Sequence, residues 1–245
     1  MGNVGGLNRK TAGTGDGPAG AADRPDADDL SHQAHRQLIG YLGILLPLIL
    51  VVLAGLRPTP GLSSWAPLGS ISAYYYTGAV AAFVGILFAL ALFLLTYRGY
   101  KEYRADRIAG TVGGIAALGV ALFPTGAPGD VPEPSWWTPV LRGAHYISAV
   151  SLFVVFIVFA LWLFRKTNQS KRGSLSGGKR WRNRVYLVCG LIMAVSVLWA
   201  GSSLFTGAPI SWPEAIALWA FAFSWLVKGY AHRSVANLVR GALGR

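Results

Sequence analysis

Charge is scarce in this chain: Asp, Glu, Lys and Arg together make up 13% of its 245 residues. Soluble domains usually carry about a quarter. Acid is scarcer than base, with 10 Asp and Glu against 22 Lys and Arg. No pair of carboxylates falls inside an apolar segment, so nothing suggests a proton relay. Cysteine occurs once, as Cys189. Neither a disulfide framework nor a cysteine metal site can be built from it. There is no G-x-S-x-G nucleophile elbow and no H-E-x-x-H zinc pair. A regularly spaced arginine row is also missing, which argues against a voltage sensor. The two halves show no internal repeat, which weakens an alternating-access transporter.

Apolar residues dominate instead, at 53% of the chain, with a mean hydropathy of +0.45. A bilayer core about 30 Å thick takes about 20 apolar residues per helix. The sequence predicts six such spans: 38–56, 75–97, 108–123, 146–164, 185–205 and 213–230. Each is too long for a strand, and lipid leaves helices as the way to satisfy the backbone. Residues 1–35 are rich in Gly, Ala and Asp and read as a disordered tail. Residues 36–232 form the expected six-helix domain, and 233–245 a short second tail.

The cations fall in alternate connections. Arg98, Lys101, Arg104 and Arg107 lie between spans two and three. Arg165, Lys166, Lys171, Arg172, Lys179, Arg180, Arg182 and Arg184 lie between four and five. The other three connections hold only Arg57 and Arg142. The positive-inside rule then places both termini in the cytoplasm. Arg98, Lys101, Arg104, Lys179, Arg180 and Arg182 are expected to meet anionic headgroups there. The net charge of +12 is explained by the membrane surface, without nucleic acid.

Small residues predict close helix packing: Gly110 and Gly114 in span three, and Ala81, Gly85 and Ala89 in span two. Aromatics are expected at the outer interface (Trp65, Tyr74, Tyr75, Tyr76, Trp136, Trp137, Trp212) and at the inner one (Tyr97, Tyr100, Tyr103).

Polar groups gather at the outer helix ends. Ser72 and Tyr75 begin span two, His145 begins span four and Glu214 begins span six. They are the candidate ligand-binding residues, converging on an outward-facing cavity. Against this, Ser211-Trp212-Pro213-Glu214 has the spacing of a capping box, which would occupy Glu214 locally. His145 can equally be held by a loop carbonyl. Lys228 is expected to snorkel to the inner interface. Asp106 is expected to complement the dipole at the start of span three. Gly173 to Arg180 nearly matches a phosphate loop but ends in Arg, so the Mg²⁺-binding hydroxyl is missing. No metal and no cofactor is expected.

Several stretches together resemble a known group: Ser70-Ile71-Ser72-Ala73-Tyr74-Tyr75-Tyr76-Thr77, Phe83-Val84-Gly85-Ile86-Leu87, Tyr97-Arg98-Gly99-Tyr100, Ala121-Leu122-Phe123-Pro124-Thr125, His145-Tyr146-Ile147-Ser148-Ala149, Arg182-Asn183-Arg184-Val185-Tyr186 and Ser224-Trp225-Leu226-Val227-Lys228-Gly229. The chain resembles small uncharacterised bacterial six-helix membrane proteins over about residues 36–232. The resemblance implies architecture and carries no substrate. A comparison with the seven-helix membrane hydrolases that include alkaline ceramidases fails on its ligands. Those place three His around zinc, whereas this chain has one His at its outer helix ends.

The expectation is therefore an all-α, polytopic integral membrane bundle of six helices, N-in and C-in, in a plasma membrane. Its function is expected to be binding or moving a small or lipidic ligand. The alternatives are a membrane-embedded lipid hydrolase, with His145 as base and Ser72 or Tyr75 beside it, and a structural subunit of a homo-oligomer or membrane complex.

Overall fold

The structure is a computed structural model that describes residues 27–62, 65–97, 104–166 and 177–229. Six α-helices follow in order: α1 Ala27–Leu56, α2 Val80–Leu95, α3 Arg104–Leu122, α4 Pro139–Val158, α5 Gly177–Thr206 and α6 Ser211–Lys228. A 3₁₀ helix, Ser72–Tyr76, precedes α2, and a π turn, Phe159–Leu163, continues α4. There is no strand among the described residues. Four helices are long and apolar enough to cross a membrane: those within 31–56, 104–122, 139–163 and 178–206. The other two fall short for different reasons. α2 is highly apolar but has 16 residues, about 24 Å at 1.5 Å per residue. α6 opens on Trp212, Pro213 and Glu214 and ends on Lys228, which dilutes its apolar centre.

The helices form a ring in chain order, closed by α6 packing on α1. Glycines set the closest approaches. A methyl at Gly40 would sit 2.6 Å from Leu226 Cγ and 2.9 Å from the Ala222 carbonyl oxygen, so α1 and α6 meet backbone to backbone there. Gly110 does the same for α3 against α2: a Cβ there would lie 2.6 Å from the Leu94 carbonyl oxygen. The expected ridge of Ala81, Gly85 and Ala89 is not used this way. Gly85 has open space beside it. α2 packs through Phe83, Leu87, Leu90, Ala91 and Leu94, of which the Phe and the three Leu are larger and bury more apolar area.

The centre is aromatic. Phe156 stacks on Phe221 at 3.5 Å, and Trp225 has Tyr97, Phe159 and Phe164 around it at 4.9–5.2 Å. Tyr74 and Tyr97, expected in interfacial belts, belong to this buried core. Trp65, Trp136 and Trp212 remain exposed, as a belt requires.

α1 starts earlier than its apolar run. Residues 27–35, read from sequence as tail, are helical, because the helix has partners there. His35 Nε2 bonds the Phe93 carbonyl at 2.7 Å, and Gln37 donates to the Gly229 carbonyl at 2.8 Å. Residues 1–26 lie outside the described residues.

Candidate functional site

The site that holds Ser72, Tyr75, His145 and Glu214 is built on the 3₁₀ helix. Ser70 starts it: its hydroxyl accepts the Ala73 amide at 3.1 Å, a local bond that competes with a longer helix. Thr77 ends it, donating to the Tyr74 carbonyl at 2.8 Å and accepting the Ala79 amide at 3.1 Å as α2 begins. The chain is thereby forced into one short turn, with Ser72 and Tyr74 inward.

Two residues from distant helices hold that turn. His145, on α4, is buried with Ser72. Its Nδ1 lies 2.6 Å from the Phe123 carbonyl oxygen, just past the end of α3. A carbonyl only accepts, so Nδ1 carries the proton. In the neutral ring Nε2 is then a lone pair, and the Ser72 hydroxyl, 2.9 Å away, donates to it. Glu214, on α6, reaches the neighbouring residue: its Oε2 accepts the Ile71 amide at 2.6 Å. Three candidates predicted from sequence thus converge on consecutive positions 71 and 72. Tyr75 sits half-buried on the same turn, its ring edge-on to Tyr76 and Phe83.

Glu214 does cap a helix start, but not its own. The capping box is not formed, because α6 begins one residue earlier than that box requires. Ile210 is the N-cap, and its carbonyl takes the Glu214 amide at 3.0 Å. The Ser211 amide is already spent on the Gly69 carbonyl at 3.1 Å. The carboxylate is left to serve the 3₁₀ helix across the gap.

Beside this clamp, the Tyr76 and Trp137 side chains both donate to the Thr125 carbonyl, at 2.5 and 3.0 Å. Tyr76 lies outside the long helices. Burial pushes its hydroxyl up to about 12, with Glu133 and Tyr75 adding to the effect.

At the other end of the ring, sequence reasoning missed a second cluster. Lys228 does not snorkel. It is 7% exposed, and its Nζ donates to the Phe164 carbonyl at 3.4 Å. The π turn ends at this residue, its amide donating to the Phe159 carbonyl, five residues back, at 2.8 Å. Asp106 is in the first turn of α3, as expected, and is buried. Both rings of Phe164 and Tyr186 lie near the Lys228 ammonium, at 5.2 and 6.0 Å. A π turn inside an α-helix was the available signal, since such turns recur at functional sites, but a hydropathy pattern does not show one.

Of the six expected headgroup contacts, Arg104 and Arg180 are exposed and Lys179 and Arg182 half-buried. Arg98 and Lys101 lie outside the described residues.

An apolar recess lies elsewhere again. An open groove of ≈ 470 Å³ lies between α5 and α6. Val188, Cys189 and Ile192 line one wall, Ile216, Trp219 and Phe223 the other, with Trp181 and Arg184 at one end. Ser72, Tyr75, His145 and Glu214 do not line it. No family model, no curated protein and no solved structure matches this chain.

Proposed function

We propose that the protein is a six-span membrane protein, N-in and C-in, that binds a lipidic ligand in the groove between α5 and α6. The groove carries this reading. Its walls are apolar and it is open between two helices, as an acyl chain would require, and Arg184 with Trp181 marks one end. Under the positive-inside reading that end is cytoplasmic, where an arginine suits an anionic headgroup. Arg104, Lys179, Arg180 and Arg182 belong to the same cationic layer. The resemblance to six-helix bacterial membrane proteins supports the helix count. The place is a plasma membrane, and the Ser72–His145–Glu214 clamp closes the outer end rather than forming the ligand site.

Filling the groove tests this. In native mass spectrometry of the purified chain, wild type is expected to retain one lipid. Ile192→Trp should lose it at least tenfold, and Arg184→Gln should shift retention toward neutral lipids. Equal retention by Ile192→Trp and wild type would remove the groove as the site.

A second reading rests on the relay Ser72–His145–Phe123. A hydroxyl on a histidine, with the ring held by a third group, is the arrangement that activates a serine. A membrane-embedded lipid hydrolase would use His145 as base and Ser72 as nucleophile. A fluorophosphonate probe should then label wild type and not Ser72→Ala or His145→Ala. An unlabelled wild type in lipid nanodiscs rules this reading out.

A further inference from the structure

The lining of the α5–α6 groove constrains the shape of its occupant. On α6 the lining positions are 216, 219, 220 and 223, and those of α5 keep the same three-then-one step from 181 to 192. Each set is a single helical stripe. The groove is therefore a slot with one row of side chains on each wall. Along α5 it runs about 16 Å at 1.5 Å per residue, about half of a bilayer core roughly 30 Å thick. The two walls differ in chemistry. Val185, Val188 and Ile192 make the α5 wall branched and aliphatic, whereas Trp219 and Phe223 make the α6 wall aromatic. The indole of Trp219 is held in place: its Nε1 donates to the Ile44 carbonyl of α1 at 3.3 Å. α1 is itself set against Ala222 of α6 at Gly40 and Gly43. Phe223, one turn further along the stripe, is 49% exposed. With the Trp219 N–H spent on α1, the Cys189 thiol is the only hydrogen-bonding side-chain group on the lining beyond Arg184. A hydroxyl, amide or ester placed midway along the slot would find almost no partner there.

We propose that the groove holds a polyprenyl phosphate, a single unsaturated, methyl-branched chain with its charge at one end. The inference rests on the groove being a lipid site and narrows the lipid. A slot with one row of side chains on each wall takes one chain, so a diacyl lipid would leave its second chain outside. An isoprenoid chain has no polar group along its length, which matches walls that offer almost no hydrogen bonds. Its repeated double bonds are flat, and flat groups pack well on aromatic faces such as those of Trp219 and Phe223. Its methyl branches fit between the Val and Ile side chains opposite. Arg184 is exposed at one end of the slot, where its guanidinium can bond two oxygens of a terminal phosphate. A fatty acid or a lysophospholipid shares the single chain and the charged end but lacks the flat units, so it gains nothing from an aromatic wall.

The test uses the full chain in nanodiscs of neutral phosphatidylcholine, with native mass spectrometry of the lipid that stays bound. Three probes compete in equal amounts: a polyprenyl phosphate, its fully saturated counterpart and phosphatidylglycerol. Wild type is expected to retain the polyprenyl phosphate roughly tenfold over either competitor. Trp219→Leu should reduce that preference to about twofold or less, and Trp219→Phe, which keeps a ring, should retain most of it. Ile192→Trp should lose all three lipids. Equal retention of the saturated and unsaturated chains by wild type overturns the inference, and that comparison needs no variant to fold. So does a preference that survives Trp219→Leu in a monodisperse particle, or polyprenyl phosphate held equally by Ile192→Trp. Phosphatidylglycerol retained by wild type and lost from Ile192→Trp, with no preference for the polyprenyl phosphate, removes this ligand and leaves the groove as a lipid site. Retention of none of the three removes both.

Discussion

Gly110→Leu is expected to be the most damaging single substitution in the bundle. At Gly110 even a Cβ would lie 2.6 Å from the Leu94 carbonyl oxygen. That neighbour is backbone in the last turn of α2, so it cannot rotate aside. Alanine there is an overpacking change of about 1–3 kcal/mol. Leucine must separate α2 from α3 along their contact, with loss of a monodisperse folded particle. Gly85→Leu is the control. It lies on α2 with open space beside it, and surface-like changes usually stay within about 0.5 kcal/mol. Size-exclusion profiles and thermal unfolding in one detergent compare the two. Similar behaviour of both variants would show that close α2–α3 contact does not hold the ring.

His145→Ala ranks second. It strips partners from two groups at once, the part-buried Phe123 carbonyl and the buried Ser72 hydroxyl. Each unsatisfied group costs about 1–3 kcal/mol, and the lost ring leaves a void. The two groups together cost about 2–6 kcal/mol, or a fall in Tm of roughly 4–24 °C for a chain of this size. Ser72→Ala should cost less, because the Nδ1 bond to Phe123 survives. The double variant should be less destabilised than the two singles added together, by about 0.5–3 kcal/mol. Strict additivity would mean that the two side chains do not interact in solution. The effect should appear as looser attachment of the 3₁₀ turn, with residues 71–77 exchanging amide hydrogens faster.

Much of this was legible in the sequence, because the bilayer imposes a length on apolar runs. Each of the six predicted apolar segments corresponds to an α-helix. Ser72, His145 and Glu214 were picked out as polar groups at helix ends, and the structure brings all three to one turn. What sequence could not supply was the partner of each. Glu214 has capping-box spacing with Ser211, but whether that box forms depends on Gly69, 142 residues away by number, taking the Ser211 amide. The Ala81–Gly85–Ala89 ridge has the same spacing logic as Gly110–Gly114. Only the ring order shows that one faces a helix and the other faces outward. Lys228 was placed near an interface because lysines at helix ends usually snorkel. The π turn that continues α4, which no hydropathy pattern encodes, ends at Phe164, whose carbonyl and ring lie beside Lys228 together with the Tyr186 ring of α5.

The closure of α6 onto α1 has a topological consequence. The first and last helices touch, and Gln37 and Gly229 are within one hydrogen bond of each other. Every helix therefore has a neighbour before and after it, and the order of the ring does not depend on where the polypeptide is cut. A circularly permuted chain, opened between α4 and α5 and spliced from the end of α6 to the start of α1, would keep all six helix pairs.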